Sequence, residues 1–186
     1  MPSKKKTSKL EIKPVRKLFL LVVEGRSDFT ALHLPLEQFL EQLYPGVMVE
    51  VIYQRAKHGD LTSDKNVDEG NIEKKLKRQV NEYCTFDLHL NGMNSITEIV
   101  FITDTDGCFI GAQNIEEDTN LNGYYYEDER ILTPSIQDTT LRNQRKSKNI
   151  ETLARLDKLG IVPFSTYYFS CNLDDMLCSK KNINSL

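Results

Sequence analysis

The sequence lacks several features that would assign it to a well-defined class of protein. No apolar run approaches the roughly 18 residues that a membrane-spanning helix needs, so we expect no membrane segment. The start, MPSKKKTSKLEIKPVRK, has neither the apolar core nor the small-residue cleavage site of a secretory signal. The phosphate-binding motif GxxxxGK[ST] is also missing, so any nucleotide hydrolysis would have to come from a separate ATPase subunit.

Cysteine pairs with metal-binding spacing are missing as well. The four cysteines are Cys84, Cys108, Cys171 and Cys178. They lie far apart in the sequence, and no two of them form a CxxC pair. This spacing argues against a zinc site and favours reduced thiols. We therefore expect a cytoplasmic protein.

An excess of positive charge is missing too, because the 186 residues carry a net charge of −3. The basic residues are nevertheless clustered, and such clusters can contact phosphates locally or simply form solvated helix faces. The candidates for nucleic-acid contact are Lys74, Arg142 and Arg145. We interpret residues 1–14 as a flexible basic tail and residues 15–186 as a single domain.

Hydrophobic segments alternate with helical patterns along the chain. Buried strands are predicted for Leu18 to Val23, for Val47 to Tyr53, for IVFIT at Ile99 to Thr103, and for IVPFSTYYF. Helical patterns follow the first, second and third strands, the last of them starting at Ile150. This order predicts an α/β fold with a mostly parallel, four-stranded, Rossmann-like sheet flanked by helices.

Two segments between these elements have no clear period. The polar segment QRAKHGDLTSDKNVDEG, after the second strand, is predicted to be a mobile loop. Residues 108–140, after the third strand, contain IEED and YYYEDER and are predicted to be a loop insertion. The insertion would lie on the face of the molecule where the strands end.

Acidic residues follow two of the predicted strands. Glu24 comes directly after the first strand, and the segment DTDG places Asp104 and Asp106 at the end of the third. Ligands of parallel sheets bind beyond the carboxyl ends of the strands, so these carboxylates are expected to share one crevice. Asp104 and Asp106 are two apart, and strand geometry would point both the same way. Asp28, one helical turn beyond Glu24, can reach the same place.

Crowded carboxylates repel each other unless one is protonated or a cation lies between them. Oxygen ligands select hard cations, so the sequence predicts a site for Mg²⁺ or Mn²⁺. A simpler reading treats each motif alone as a turn. In that reading DTDG is an Asp-Gly turn, and Ser27 caps the helix that follows Glu24.

The two motifs together resemble those of the Toprim domain. LLVVEGRSD resembles its first motif, a hydrophobic strand followed by Glu-Gly-x-x-Asp. IVFITDTDG resembles its second, a hydrophobic strand followed by Asp-x-Asp. The resemblance covers Leu18 to Asp106 in register and is closest to small Toprim nucleases of the OLD type, including those of anti-phage defence. Phe109 stands where the family often has a glycine.

The resemblance implies a metal-dependent nuclease that cleaves phosphodiester bonds of DNA or RNA, as an effector of phage defence. Glu24 matches the family's catalytic general acid–base and a metal ligand. Asp104 and Asp106 match the metal-binding pair, and Asp28 matches the acid that joins the site in nuclease-like members. The implied cofactors are one or two Mg²⁺ or Mn²⁺ ions. The implied partners are nucleic acid and either an ATPase subunit or further copies of the chain.

Two alternatives belong to other classes. The first is a non-catalytic, Toprim-like regulatory or partner subunit that keeps the carboxylates in an inactive fold. The second is a phosphatase of the haloacid-dehalogenase type, because DTDG also resembles that family's DxDG motif, with Asp104 as the nucleophile. That family carries the motif on its first strand, whereas here it follows the third.

Overall fold

The computed structural model describes residues 18–54, 60–127 and 129–169. Its helices and strands are, in chain order, β1 (Leu18–Val23), α1 (Arg26–Leu43), β2 (Met48–Tyr53), α2 (Ile72–Phe86), β3 (Ile96–Asp104), β4 (Ile115–Glu117), β5 (Tyr125–Tyr126), β6 (Ile131–Thr133), α3 (Ile136–Ala154), β7 (Lys158–Leu159) and β8 (Val162–Phe169). The basic tail predicted for residues 1–14, together with Cys171 and Cys178, lies outside the described residues.

The main sheet has five strands in the order β2-β1-β3-β8-β7, one more than the four predicted, because the two-residue strand β7 adds an edge that hydrophobic runs do not reveal. The first four are parallel to their neighbours, and the two-residue strand β7 pairs antiparallel with β8. The predicted α/β fold with a mostly parallel, helix-flanked sheet is therefore confirmed, and it is compatible with a Rossmann-like arrangement. Among the described residues, no helix combines the length and the apolar character needed to cross a membrane.

Helices cover both faces of the sheet because its inner strands are apolar on both sides. The larger core cluster joins β1 and β3 to the apolar stripe of α2, which includes Leu76 and Val80. The smaller cluster packs α1 against the opposite face through side chains such as Leu32 and Leu36. α1 continues through Pro35 as one helix.

The segment after β3 is more regular than a loop insertion. It contains a second, three-stranded sheet in the order β4-β6-β5. α3 begins at Ile136, capped by the Ser135 hydroxyl, which accepts a hydrogen bond from the Asp138 amide. The predicted start near Ile150 was wrong because the first turns of this helix bury polar side chains, which hydrophobic periodicity does not detect.

The polar segment after β2 is predicted to be a mobile loop, and its described residues, Gln54 and 60–70, have no helix or strand. Leu61 and Val67 are nevertheless buried in the larger core cluster. The Asn149 amide of α3 donates to the Thr62 carbonyl at 2.8 Å. Residues 60–70 are therefore packed against α3. This packing brings Asp60 to the sheet edge.

Candidate functional site

Glu24 lies at the carboxyl end of β1, where the neighbouring strand β3 holds its carboxylate. Oε2 of Glu24 accepts a hydrogen bond from the Thr103 hydroxyl at 2.6 Å and another from the Asp104 amide at 2.9 Å. These bonds are available because β1 and β3 run parallel with Val23 opposite Ile102. The placement of Glu24 at the strand-end edge matches the sequence-based expectation.

Three carboxylates converge at this edge. Glu24, Asp60 and Asp106 each offer an oxygen, and the three oxygens lie within 4.8 Å of one another. They come from three neighbouring places in the sheet, since Glu24 follows β1, Asp60 lies beyond β2, and Asp106 follows β3. The group is one that could hold a metal ion.

Asp104 does not belong to this group, although it lies at the same edge. β3 ends at Asp104, and Asp106 has a left-handed backbone with φ of 47°. The expectation that Asp104 and Asp106 share a face required the strand to continue past Asp104, and it does not.

Asp28 supports the turn that presents Glu24. Its Oδ2 atom accepts a hydrogen bond from the Gly25 amide at 2.8 Å, and the residue is buried in the first turn of α1. Gly25 is therefore the N-cap of α1, where the sequence favoured Ser27. Asp28 is not among the three converging carboxylates.

The ammonium of Lys146 lies between the three carboxylates. Its Nζ atom is 2.6 Å from Oδ2 of Asp106, 2.9 Å from Oδ2 of Asp60 and 3.2 Å from Oε1 of Glu24. The side chain is 0% exposed, since α3 packs this face against the sheet edge. The ammonium of Lys146 thus occupies the kind of position that a metal ion would take.

The site holds more negative than positive charge. Burial raises the pKa of Glu24 to about 8, Lys146 opposes this shift, and Asp60 and Asp106 add to it. For Lys146, burial disfavours the charged form, but the three carboxylates outweigh it and raise the pKa of the ammonium well above its usual range. One permanent cation, the Lys146 ammonium, therefore faces three acids. The remaining negative charge favours either a proton on Glu24 or a further cation at the site.

Asp60 is oriented by the turn that it begins. Its Oδ1 atom accepts from the Thr62 amide at 2.8 Å, and its Oδ2 atom accepts from the Ser63 amide at 3.1 Å. The Thr62 hydroxyl also donates to Oδ2. The remaining contact of Oδ2 is Lys146, so the backbone of the turn aims this carboxylate into the site.

Arg142 braces the turn that carries Asp106. Its Nη2 atom donates to the Asp106 carbonyl at 2.6 Å, and Nη1 donates to the Tyr126 hydroxyl at 3.2 Å. The guanidinium also lies over the Tyr124 ring, 4.3 Å from the ring centre. Arg142 therefore connects α3 and the small sheet to the acidic turn.

The other two basic residues singled out in the sequence lie elsewhere. Arg145 donates to the Ser63 carbonyl at 3.1 Å and so helps to hold the segment of Asp60. Lys74 is exposed on α2. Contact of Lys74, Arg142 and Arg145 with nucleic acid stays a prediction.

Sequence reasoning missed Asp60 and the role of Lys146. Asp60 lies in the segment beyond a predicted strand but not directly after it, and a wider use of the strand-end rule could have identified it. Lys146 belongs to a stripe of buried positions on α3, which comprises Thr139, Asn143, Lys146, Ile150 and Leu153. The stripe repeats every three to four residues, and a lysine in such a stripe is a signal for a buried charge with partners.

Comparisons of the chain with protein-family models, with curated proteins and with solved structures found no match. The fold and the site by themselves define the class. It is an α/β protein with a mostly parallel sheet and, among the residues that the structure describes, a cluster of three acidic side chains that could hold a metal ion.

Proposed function

We propose that the chain is a divalent-metal-dependent nuclease with a Toprim-like fold. The observation that carries the proposal is the convergence of Glu24, Asp60 and Asp106 within 4.8 Å at the carboxyl ends of parallel strands. The two Toprim-like motifs end neighbouring strands, β1 and β3, so the acids that they carry meet at one edge. The substrate class is DNA or RNA, and an effector role in phage defence follows from the same resemblance.

The donor set fits Mg²⁺ or Mn²⁺. The candidate ligands among the described residues are three carboxylate oxygens, and such ligands prefer hard divalent cations. The position of the Lys146 ammonium, within 3.2 Å of all three acids, supports the view that the cluster accommodates positive charge. When bound, one or two such ions would activate a water molecule and neutralise charge on the leaving oxygen. Glu24, Asp60 and Asp106 would hold the first ion.

The chain's own residues can move the proton. Glu24 has a pKa raised to about 8, close to the pH at which a general base works best. Thr103 and the Asp104 amide keep its carboxylate oriented. Lys146 is charged and contacts all three carboxylates, so its ammonium offsets part of their negative charge.

A cleavage assay tests the proposal. Single- and double-stranded DNA and RNA are incubated with the purified chain, with Mn²⁺, Mg²⁺ or EDTA, beside Asp106→Asn and the exposed α2 variant Glu73→Gln. We expect cleavage that requires the metal, is lost in Asp106→Asn and is retained in Glu73→Gln. Equal cleavage by both variants would mean that the activity does not come from this site. A further arm adds a separate ATPase subunit. Cleavage that occurs only in this arm would show that the activity requires such a partner.

A second candidate is a non-catalytic regulatory or partner subunit, and Lys146 is the observation that favours it. A buried ammonium that contacts all three acids, together with a proton on Glu24, offsets most of their charge, so that the fold can persist without a metal. Calorimetry separates the two functions. Heat of Mn²⁺ binding that disappears in Asp106→Asn supports the nuclease, whereas no binding by the wild type supports the subunit.

A further inference from the structure

The turn that carries Asp106 has an uncommon backbone. It runs from Thr105 to Cys108, and the Cys108 amide closes it by donating to the Thr105 carbonyl at 2.9 Å. Both central residues have positive φ angles, 47° at Asp106 and 65° at Gly107, as in a type I′ turn. Glycine adopts this conformation freely, but a residue with a side chain does so at a cost. Asp106 therefore keeps its position only while neighbouring groups hold the turn.

Two consecutive residues of α3 hold the carbonyls of this turn. Nη2 of Arg142 donates to the Asp106 carbonyl at 2.6 Å, and Nδ2 of Asn143 donates to the Gly107 carbonyl at 3.4 Å. The two side chains are also joined to each other, because Nε and Nη2 of Arg142 donate to Oδ1 of Asn143 at 3.1 and 2.8 Å. These bonds go to backbone carbonyls and to one another, so they fix the position of Asp106 without occupying its carboxylate.

The small sheet and the segment leading into it hold the guanidinium of Arg142. Nη1 donates to the hydroxyl of Tyr126, a buried residue of β5, at 3.2 Å. The ring of Tyr124 lies 4.3 Å from the guanidinium carbon. Each of the three guanidinium nitrogens thus has a partner. A lysine, with one nitrogen, cannot reproduce this set of bonds, so the arrangement uses the fork of arginine and not only its charge.

We propose that Arg142 is a positioning residue for the metal ligand Asp106 and that it makes the acidic site selective for a small divalent ion. The selectivity rests on the proposed metal-binding function. The other two carboxylates are held by their own neighbours, Glu24 by the end of β3 and Asp60 by its turn. With Asp106 fixed as well, the three oxygens keep one spacing. Mg²⁺ demands near-octahedral geometry at about 2.0–2.1 Å, whereas Ca²⁺ accepts longer and more variable distances, so a rigid, closely spaced site favours Mg²⁺.

Hydrogen exchange of the metal-free 186-residue chain tests the positioning role independently of any ion. Arg142→Lys keeps the charge but loses the fork, and we expect the Cys108 amide that closes the turn to exchange at least about tenfold faster. Amides in the middle of β3, such as that of Phe101, should keep the wild-type rate because the change is local. An unchanged Cys108 amide overturns the inference. Equal acceleration throughout β3 also overturns it, since that result would mean a general loss of stability.

Calorimetry with Mg²⁺ and with Ca²⁺ tests the selectivity. Arg142→Lys should bind Mg²⁺ about 10- to 100-fold more weakly, the usual effect of losing a group that orients a metal ligand. Ca²⁺ binding should weaken at most about threefold, because Ca²⁺ tolerates a displaced ligand. Arg155→Lys, at the exposed end of α3 and paired with Glu151, is the matched control and should change neither affinity. Equal losses for the two ions, or an unchanged Mg²⁺ affinity, overturn the inference.

A second variant keeps the test decisive if Arg142→Lys does not fold. Tyr126→Phe keeps the ring but removes the hydroxyl that holds Nη1, so it should also speed exchange of the Cys108 amide and lower the ratio of Mg²⁺ to Ca²⁺ affinity. Wild-type values of both quantities in this variant overturn the inference. If the wild type binds neither ion, the nuclease proposal and the selectivity fail together, and the exchange of the Cys108 amide still decides whether Arg142 positions the turn.

Discussion

The Nζ atom of Lys146 lies 2.6 Å from Oδ2 of Asp106, although the two residues are 40 positions apart in the chain. This contact joins the middle of α3 to the turn after β3. It makes the charge of one buried lysine the main electrostatic partner of the acidic cluster. The first prediction follows from that dependence.

Lys146→Met should destabilise the metal-free protein by about 3–5 kcal/mol, because removing one partner leaves buried charge uncompensated. Mn²⁺ should then raise the melting temperature of the variant more than that of the wild type, since the competing ammonium is gone. Thermal unfolding with Mn²⁺ and with EDTA measures both effects. Lys148→Met, at an exposed position two residues on, is the control and should change neither. If Mn²⁺ leaves the variant's melting temperature unchanged, the cluster does not bind the ion.

Glu24→Gln should separate catalysis from folding. The pKa of Glu24 is raised to about 8, so protonation of Glu24 is favoured far more than in an ordinary glutamate, and glutamine resembles the protonated form in charge and shape. We therefore expect a small change in the free energy of unfolding, measured in urea at pH 7. Metal-dependent cleavage should fall by at least about 100-fold, as expected for loss of a general base. A large loss of stability with intact cleavage would contradict the assignment of Glu24.

Stability without metal should fall as the pH rises from about 4.5 to about 8. Between the ordinary carboxyl pKa of 4.5 and the raised value of about 8, the folded protein keeps a proton on Glu24 that the unfolded chain has released. The stabilisation is complete below the lower value and is lost as the pH passes the upper one. Urea unfolding across this range, beside Glu24→Gln, checks the slope, and the variant should lack this contribution.

Divalent-ion binding should have the opposite pH dependence. An ion competes with the proton on Glu24, so its affinity should rise as the pH approaches 8 and level off above it. Calorimetry at several pH values measures this, together with the protons released. Affinity that is independent of pH between 6 and 8 would mean that Glu24 is not a ligand.

Gly107→Ala should disturb the acidic turn. Gly107 has φ of 65°, and an added Cβ would lie 3.1 Å from Cδ1 of Ile131. A side chain there is strained by both backbone and contact, so we expect a loss of about 1–3 kcal/mol and weaker metal binding through Asp106. Gly123→Ala, where nothing lies within 4 Å of the added atom, is the matched control. Equal melting temperatures and equal Mn²⁺ affinities for the two variants would contradict this reading.

Much of the main fold could be read from local patterns. β1 and β3 are apolar on both faces and are followed by acid and glycine, so strand periodicity and the strand-end rule were sufficient for Glu24. The first turns of α3 were not readable in this way. They bury Thr139, Asn143 and Lys146, whose partners are distant in sequence, and a polar stripe gives no hydrophobic signal.

The sequence by itself therefore determined the α/β class, the parallel strands and the place of Glu24 at their carboxyl ends. Tertiary structure alone decided which acids meet. Asp106 enters the group because the backbone turns left-handed after β3, and that same turn separates it from Asp104. Asp60 enters because α3 packs its segment against the sheet edge. Lys146 completes the group because burying its charge is tolerable only where several carboxylates surround it, a condition set by the whole fold.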